Sequence, residues 1–163
     1  MKKPSKRPRA AGKRKSAGRS PRPATSTVFE SRSPDDTRLF GEAMGKALRP
    51  GEILLLTGPL GAGKTVFVRG LARGLGIDPA IVRSPTYLVA MTYPGRIPLL
   101  HVDLYRKESP ESDLIDEILS FNGIVAVEWG ERLRPHIPAC AAIEIEIVVA
   151  AASRKIRVTG TER

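Results

Sequence analysis

The chain has 163 residues, of which 41% are hydrophobic and 27% charged, a composition typical of a soluble globular protein with one domain and a modest extension. No apolar stretch is long enough to span a membrane, and a single cysteine excludes an intramolecular disulfide. The single thiol favours a reducing compartment, and we expect the protein in the cytoplasm. The formal net charge of +10 is typical of a nucleic-acid-binding protein, and its meaning depends on where in the chain the charge lies.

All of the excess positive charge lies at the amino terminus. Residues 1–25 hold ten Lys and Arg side chains and no acid, so 17 basic residues face 17 acidic ones in the rest of the chain. Four prolines and few large apolar side chains predict that residues 1–27 form a disordered basic tail, followed by one folded domain over residues 28–163. Three interpretations of the tail stay open: a solvated extension, a loose electrostatic contact with RNA, and a transit peptide, which the prolines disfavour.

The folded part begins with a predicted helix. The stretch SPDDTRLFGEAMGKALRP opens with capping residues and ends at Pro50, and Leu39, Ala43, Met44 and Ala47 recur at helical spacing. The run GEILLLTG then predicts a short strand buried on both faces.

Strands and helices alternate in the rest of the chain. KTVFVRGLARGLG predicts a helix with Phe67, Leu71 and Leu75 on one side, and YLVAMTYPGRIPLLHVDLYR predicts two strands joined at PGR. DLIDEILS is a predicted helix, GIVAVEW a second buried strand, and ERLRPHI a connector. AIEIEIVVA and RKIRVTG predict a closing antiparallel pair around the turn ASR. The fold class is therefore α/β, with a mixed, mostly parallel central sheet and antiparallel edge strands.

The segment GPLGAGKT, residues 58–65, satisfies the phosphate-binding pattern G-x-x-x-x-G-K-[ST] through Gly58, Gly63, Lys64 and Thr65. It follows a predicted buried strand and opens a helix, which is the context that the pattern requires. Glycines allow successive backbone N–H groups to surround phosphate oxygens, and the helix dipole favours the anion. Lys64 then reaches the β- and γ-phosphates, and the Thr65 hydroxyl binds Mg²⁺. The alternative is a tight strand-to-helix turn that only needs glycine. The motif predicts a three-layer sandwich of the P-loop NTPase type.

A phosphate-binding loop of this class also needs an acid beyond a second buried strand. Glu128 is the single acid in GIVAVEW and stands at its carboxyl end, and Asp103 ends the strand LLHVD in the same way. Each could instead be a surface acid paired with an arginine.

Three further residue groups have weaker signals. Trp129 either stacks on an adenine or packs as an isolated anchor. RSPTY, residues 83–87, is consistent with a loop that senses a γ-phosphate. His101 is interpreted as a structural residue of its strand.

In this order, GPLGAGKT, SPTY, HVDLYR and VEWGER resemble the TsaE (YjeE) family, small bacterial P-loop ATPases required for threonylcarbamoyladenosine modification of tRNA. The similarity covers nearly everything after the tail. Two positions depart from the family pattern: Pro59 stands where an acid is frequent, and Val66 where a second threonine is common. Neither position supplies a group that the chemistry needs.

The resemblance implies an ATP site with Mg²⁺ and a set of residue roles. The loop residues that would bind ATP are Gly58, Pro59, Leu60, Gly61, Ala62, Gly63, Lys64 and Thr65. Thr65 and Glu128 would hold Mg²⁺, and Asp103 would assist at the metal or at the attacking water. Lys64, Asp103 and Glu128 would form the catalytic set. Three side chains beyond the loop would lie near the nucleotide: Trp129, Arg132 and Arg154.

The resemblance also implies partners and a reaction. The family acts with the transferase subunit TsaD and its paralogue TsaB, and its ATP hydrolysis resets that complex between turnovers. The expected function is an ATPase subunit for modification next to the anticodon, with low activity alone and with the tail as a possible tRNA contact. Two alternatives remain: a small-molecule kinase that uses Asp103 as a base, and an interaction module gated by nucleotide binding.

Overall fold

Seven strands and three α-helices follow one another in the described part of the chain, which the computed structural model gives as residues 25–138 and 141–160. The strands are β1 (Thr25–Ser31), β2 (Ile53–Thr57), β3 (Ala90–Tyr93), β4 (Leu99–Asp103), β5 (Ile124–Glu128), β6 (Ala142–Val149) and β7 (Arg154–Gly160). The helices are α1 (Pro34–Ala47), α2 (Lys64–Gly74) and α3 (Ser112–Ser120), with short 3₁₀ turns at Pro79–Ile81, Gly130–Arg132 and Arg134–His136. Cys140 lies outside the described residues.

The strands form one mixed sheet in the order β1-β7-β6-β2-β5-β4-β3. The four central strands β6, β2, β5 and β4 are parallel, whereas β3 on one edge and β7 and β1 on the other pair antiparallel. The predicted α/β class with a parallel centre and antiparallel edges is confirmed. The predicted hairpin of the last two strands is also confirmed, and Ala150 N donates to Ser153 O at its turn.

The apolar strands are buried because helices or turns cover both faces of the sheet, which makes three layers. In β2, Leu54 and Leu56 pack with Phe67 and other residues of α2 on one face. Ile53 and Leu55 point to the other face and pack with residues of α3 and of the 3₁₀ turns. This alternation of side chains along one strand explains why GEILLLTG is apolar at every central position.

Helix α1 has the predicted amino end but a different buried face. Ser33 is its N-cap, and its hydroxyl accepts a hydrogen bond from Asp36 N at 3.0 Å. Leu39, which was expected at a recurring apolar position, is 60% exposed. The buried residues are instead Thr37, Gly41 and Gly45, spaced four residues apart on the side that faces α2.

The two helices approach closely because glycines face each other's backbones. A Cβ on Gly41 would overlap the carbonyl oxygen of Phe67, and one on Gly70 would overlap that of Arg38. The predicted apolar side of α2 is confirmed, since Phe67 and Leu71 are fully buried. The close crossing fixes the position of α2, and therefore of Lys64 at its first residue.

The sheet also decides where the tail leaves the domain. Strand β1 begins at Thr25, three residues before the boundary expected from the sequence, and residues 25–27 pair with β7. Residues 1–24 lie outside the described residues. Because β1 runs antiparallel to β7, and β7 to β6, β1 shares the direction of the central strands. Thr25 is the first residue of β1, so it lies at the end of the sheet where the parallel strands begin, opposite their carboxyl ends.

No helix in the described ranges is long and apolar enough to cross a membrane.

Candidate phosphate and metal site

The glycine-rich loop joins the carboxyl end of β2 to the first residue of α2. Gly58, Gly61 and Gly63 have φ angles of 138°, 76° and 107°, in the range that side chains disfavour. Gly58 has a second requirement, because a Cβ there would overlap the carbonyl oxygen of Ile147 in β6. The loop therefore needs glycine for both conformation and space.

The start of α2 faces a cleft at this edge of the sheet. The first backbone hydrogen bond of the helix runs from Phe67 N to Gly63 O at 2.9 Å. The preceding backbone amides of the first turn have no intrahelical acceptor, which makes such a helix end a site for anions. The cleft has a volume of about 350 Å³ and is lined by residues 60–66, Ser84, Thr86, Asp103, Tyr105, Glu128 and Trp129.

Lys64 is folded back across the loop and is only 4% exposed. Its Nζ donates to the carbonyl oxygens of Gly58 at 2.7 Å and Pro59 at 2.9 Å. The ammonium lies 4.0 Å from the ring centroid of Trp129. Burial lowers the pKa of Lys64, and the nearby carboxylates, Glu128 foremost, partly oppose that shift.

Glu128 connects the loop to the core of the sheet. The Thr65 hydroxyl donates to Glu128 Oε1 at 2.7 Å, and His101 Nε2 lies 2.9 Å from the same oxygen. His101 is fully buried and Glu128 is 4% exposed. The hydroxyl and the carboxylate lie together at the amino end of α2, and both residues line the cleft. Two hard oxygen donors beside a phosphate site fit Mg²⁺, which takes few protein ligands and completes its shell with phosphate and water.

Asp103 is the register partner of Glu128 on the neighbouring strand, and both are buried. Its partners, however, come from loops rather than from the core. Asp103 Oδ2 accepts from the hydroxyls of Ser84 at 2.5 Å and Thr86 at 2.6 Å. Its Oδ1 accepts from Tyr105 N at 2.9 Å. Asp103 thus ties the RSPTY segment to the edge of the cleft.

The remaining predicted residues divide into those that line the cleft and those that support it. Trp129 lines it, with its ring 5.1 Å from that of Tyr105. Arg132 instead donates to the carbonyl oxygens of Leu104 and Tyr105, at 2.6 and 2.7 Å. Arg154 Nε donates to Ala62 O at 2.8 Å, so in this structure it braces the loop from β7.

The sequence analysis gave two residues of the site no role in it. Tyr105 lines the cleft beside Trp129, and its position after HVDL carries no separate chemical signal. His101 was interpreted as structural, yet it bonds directly to Glu128. The available signal was a single polar side chain inside the apolar run LLHVD.

Comparisons with known proteins agree with this geometry. The family model for the threonylcarbamoyl adenosine biosynthesis protein TsaE matches residues 31–156, which include every site residue described above. The chain belongs to the TsaE family. The "tRNA threonylcarbamoyladenosine biosynthesis protein TsaE" of Treponema pallidum is 41% identical over 132 residues, covering 78% of this chain and 96% of that relative. The protein of the same name from Bacillus subtilis is 40% identical over 108 residues, covering 65% of this chain and 68% of that protein.

The fold has a solved counterpart. The crystal structure of YdiB from Bacillus subtilis superposes with a TM-score of 0.74 at 29% identity, covering 86% of this chain and 89% of YdiB. The family expected from the four ordered motifs is therefore confirmed, and with it a place in tRNA threonylcarbamoyladenosine biosynthesis.

Proposed function

We propose that this TsaE family member binds ATP with Mg²⁺ and hydrolyses it in the cytoplasm, as a subunit of the machinery that places threonylcarbamoyladenosine next to the anticodon of tRNA. One observation carries the proposal. The first-turn amides of α2, the Lys64 ammonium and the Thr65–Glu128 pair, with its 2.7 Å hydrogen bond, converge on one cleft. This arrangement supplies an anion site and a hard cation site side by side.

The proposed roles follow from the contacts of each side chain. The loop amides and Lys64 hold the phosphate chain, and Lys64 exchanges its carbonyl partners for phosphate oxygens. Thr65 and Glu128 hold Mg²⁺, which supplies positive charge to the β- and γ-phosphates. Asp103 orients the attacking water or a water of the metal shell from the adjacent strand end. Trp129 and Tyr105 shield the cleft on the side of Lys64.

We further propose that hydrolysis serves TsaD and TsaB by resetting their complex between turnovers. Family membership supports the pathway.

The position of β1 bears on how the basic tail could contact tRNA. Thr25 lies at the end of the sheet opposite the cleft. A tail that contacted tRNA would therefore join the domain away from the nucleotide. Both contacts can then exist together.

Turnover of ATP in the presence of TsaD and TsaB tests the proposal. Lys64→Ala and Glu128→Ala are expected to lower kcat by about 100-fold or more, because each removes a group that stabilises charge in the transition state. Lys46→Ala is the matched control, since Lys46 pairs with Glu42 on the surface of α1, and it should retain wild-type turnover. Normal turnover in either site variant would refute the assignment.

Two further measurements separate the alternatives. ATP-dependent phosphorylation of a nucleoside or sugar above the rate of water hydrolysis would favour a kinase instead. A modification complex that cycles many times with a non-hydrolysable ATP analogue would favour nucleotide gating.

A further inference from the structure

His101 is a fully buried imidazole with one polar contact. Its Nε2 lies 2.9 Å from Glu128 Oε1, across the diagonal between β4 and β5. Among residues 25–138 and 141–160, no hydrogen-bond partner reaches its Nδ1. The register neighbours of His101 are Met91 in β3 and Ala126 in β5, so apolar side chains flank it in the sheet.

The contact between Nε2 and Glu128 sets the direction of this hydrogen bond. A carboxylate has no hydrogen to donate and serves only as an acceptor. An imidazole nitrogen that contacts it must therefore carry a hydrogen. His101 Nε2 then donates to Glu128 Oε1 over 2.9 Å.

Thr65 and His101 contact the same oxygen of the Glu128 carboxylate, one from the start of α2 and the other from β4. Thr65 Oγ1 lies 2.7 Å and His101 Nε2 2.9 Å from Glu128 Oε1. The terminal torsion of a glutamate side chain is broad, so an unheld carboxylate samples many orientations. Two donors to one oxygen restrict that torsion of Glu128. One of them, His101 of β4, is fully buried in the core.

We propose that His101 is a positioning residue: it holds the Glu128 carboxylate in the orientation that receives Mg²⁺ before nucleotide arrives. This inference rests on the proposed function, because Glu128 is there the metal ligand. Partners that orient a metal ligand typically change metal affinity by 10–100-fold when they are removed. His101 therefore acts through Glu128 and touches neither nucleotide nor metal.

The tautomer can be tested on the full-length protein without any nucleotide. The chain has two histidines, and His136→Gln leaves His101 as the single imidazole in a ¹⁵N spectrum. We expect a hydrogen on Nε2 and a ¹⁵N shift of that nitrogen that changes in Glu128→Gln. A ring with its hydrogen on Nδ1 alone would overturn the inference whether or not the protein binds nucleotide.

The positioning role is tested by ADP binding, measured by calorimetry with and without Mg²⁺. His101→Phe keeps an aromatic ring of similar size but no donor, and we expect it to lower the Mg²⁺-dependent gain in affinity about tenfold while Mg²⁺-free affinity stays unchanged. His101→Gln carries an amide donor of similar reach and should restore the gain to within about threefold of wild type. His136→Gln is the matched control.

The outcomes distinguish a failure of the positioning role of His101 from a failure of the proposed function. If the wild type shows a Mg²⁺-dependent gain that a folded His101→Phe protein retains in full, the positioning role is wrong while the proposed function stands. If the wild type binds no adenine nucleotide, the proposed function fails. The nucleotide-free spectrum then still decides whether His101 donates to Glu128.

Discussion

Two acids at neighbouring strand ends show how differently this protein holds the two sides of its cleft. Glu128 is bonded to Thr65 at the start of α2 and to His101 in the core. We call residues 53–74 with Glu128 the fixed region. Asp103 is bonded to hydroxyls of an exposed segment, and residues 83–89 with Asp103 form the loop region.

The packing of the two regions explains the contrast. In the fixed region, apolar side chains of β2 and α2 are buried in the main hydrophobic core. In the loop region, Tyr87 is 82% and Leu88 71% exposed, and Val89 has a φ of 69°, a conformation that a β-branched residue disfavours. Segments with few buried contacts open at low free energy. The core therefore holds the glycine-rich loop in place, whereas the segment opposite can rearrange.

The largest expected effect comes from disturbing the fixed region with Gly70→Ala. An added Cβ would overlap the carbonyl group of Arg38, and a backbone group cannot move aside as a side chain can. Overpacking of this kind costs about 3 kcal/mol, and the helix preference of alanine recovers about 1 kcal/mol. We expect urea titration to give a free energy of unfolding lower by about 2 kcal/mol.

The matched control for that substitution is Lys46→Ala on α1. It removes a surface ion pair with Glu42 and should change the free energy of unfolding by about 0.5 kcal/mol or less. If Gly70→Ala were as stable as this control, the close crossing of α1 and α2 would not be what fixes the loop.

An intermediate effect is expected from Asp103→Asn in the loop region. Asparagine can keep its oxygen on Tyr105 N only by turning its NH₂ group toward the hydroxyls of Ser84 and Thr86. The charge-assisted hydrogen bonds of the carboxylate are then replaced by weaker neutral ones. Loss of about 1.4 kcal/mol of local stability corresponds to about tenfold faster amide exchange over residues 83–89. Hydrogen-exchange mass spectrometry should show this change while peptides from α2 stay protected. Equal acceleration in both would mean that the regions open together.

The smallest effect is expected from Thr86→Val, which removes one hydroxyl at 2.6 Å from Asp103 Oδ2 and keeps the side-chain volume. Ser84 still binds the same oxygen, so we expect about threefold faster exchange over residues 83–89. Thr92→Val makes the same chemical change on an exposed position of β3 and should leave that segment unaffected. A tenfold effect of Thr86→Val would make this hydroxyl the main attachment of the loop.

Much of the site could be predicted because local sequence determines it. The glycines of the loop, Lys64 and Thr65 are specified by a strand, a turn and a helix that follow one another directly. Glu128 and Asp103 were found because a charge at the end of an apolar strand is visible in the sequence. Their placement at one edge follows from the parallel centre of the sheet, where carboxyl ends coincide.

Other features depended on which elements pack together. Leu39 was assigned to an apolar pattern, but the buried side of α1 is set by glycines that meet the backbone of α2. Arg154 reaches Ala62 across 92 positions of sequence, and Ser84 reaches Asp103 from a separate loop. The sequence indicated Arg154, Asp103 and the segment that contains Ser84 as candidates, but it did not give the contacts between them and the rest of the site.

By itself, the amino-acid sequence determined the glycine-rich loop between a strand and a helix, the alternation of strands and helices, and the family to which the chain belongs. Backbone conformation and burial periodicity are properties of a few consecutive residues, so they can be read directly along the chain. Only the tertiary structure decided that His101 contacts Glu128 and that Asp103 holds an exposed segment. Those contacts join strands and loops through their order and register, which no local pattern encodes.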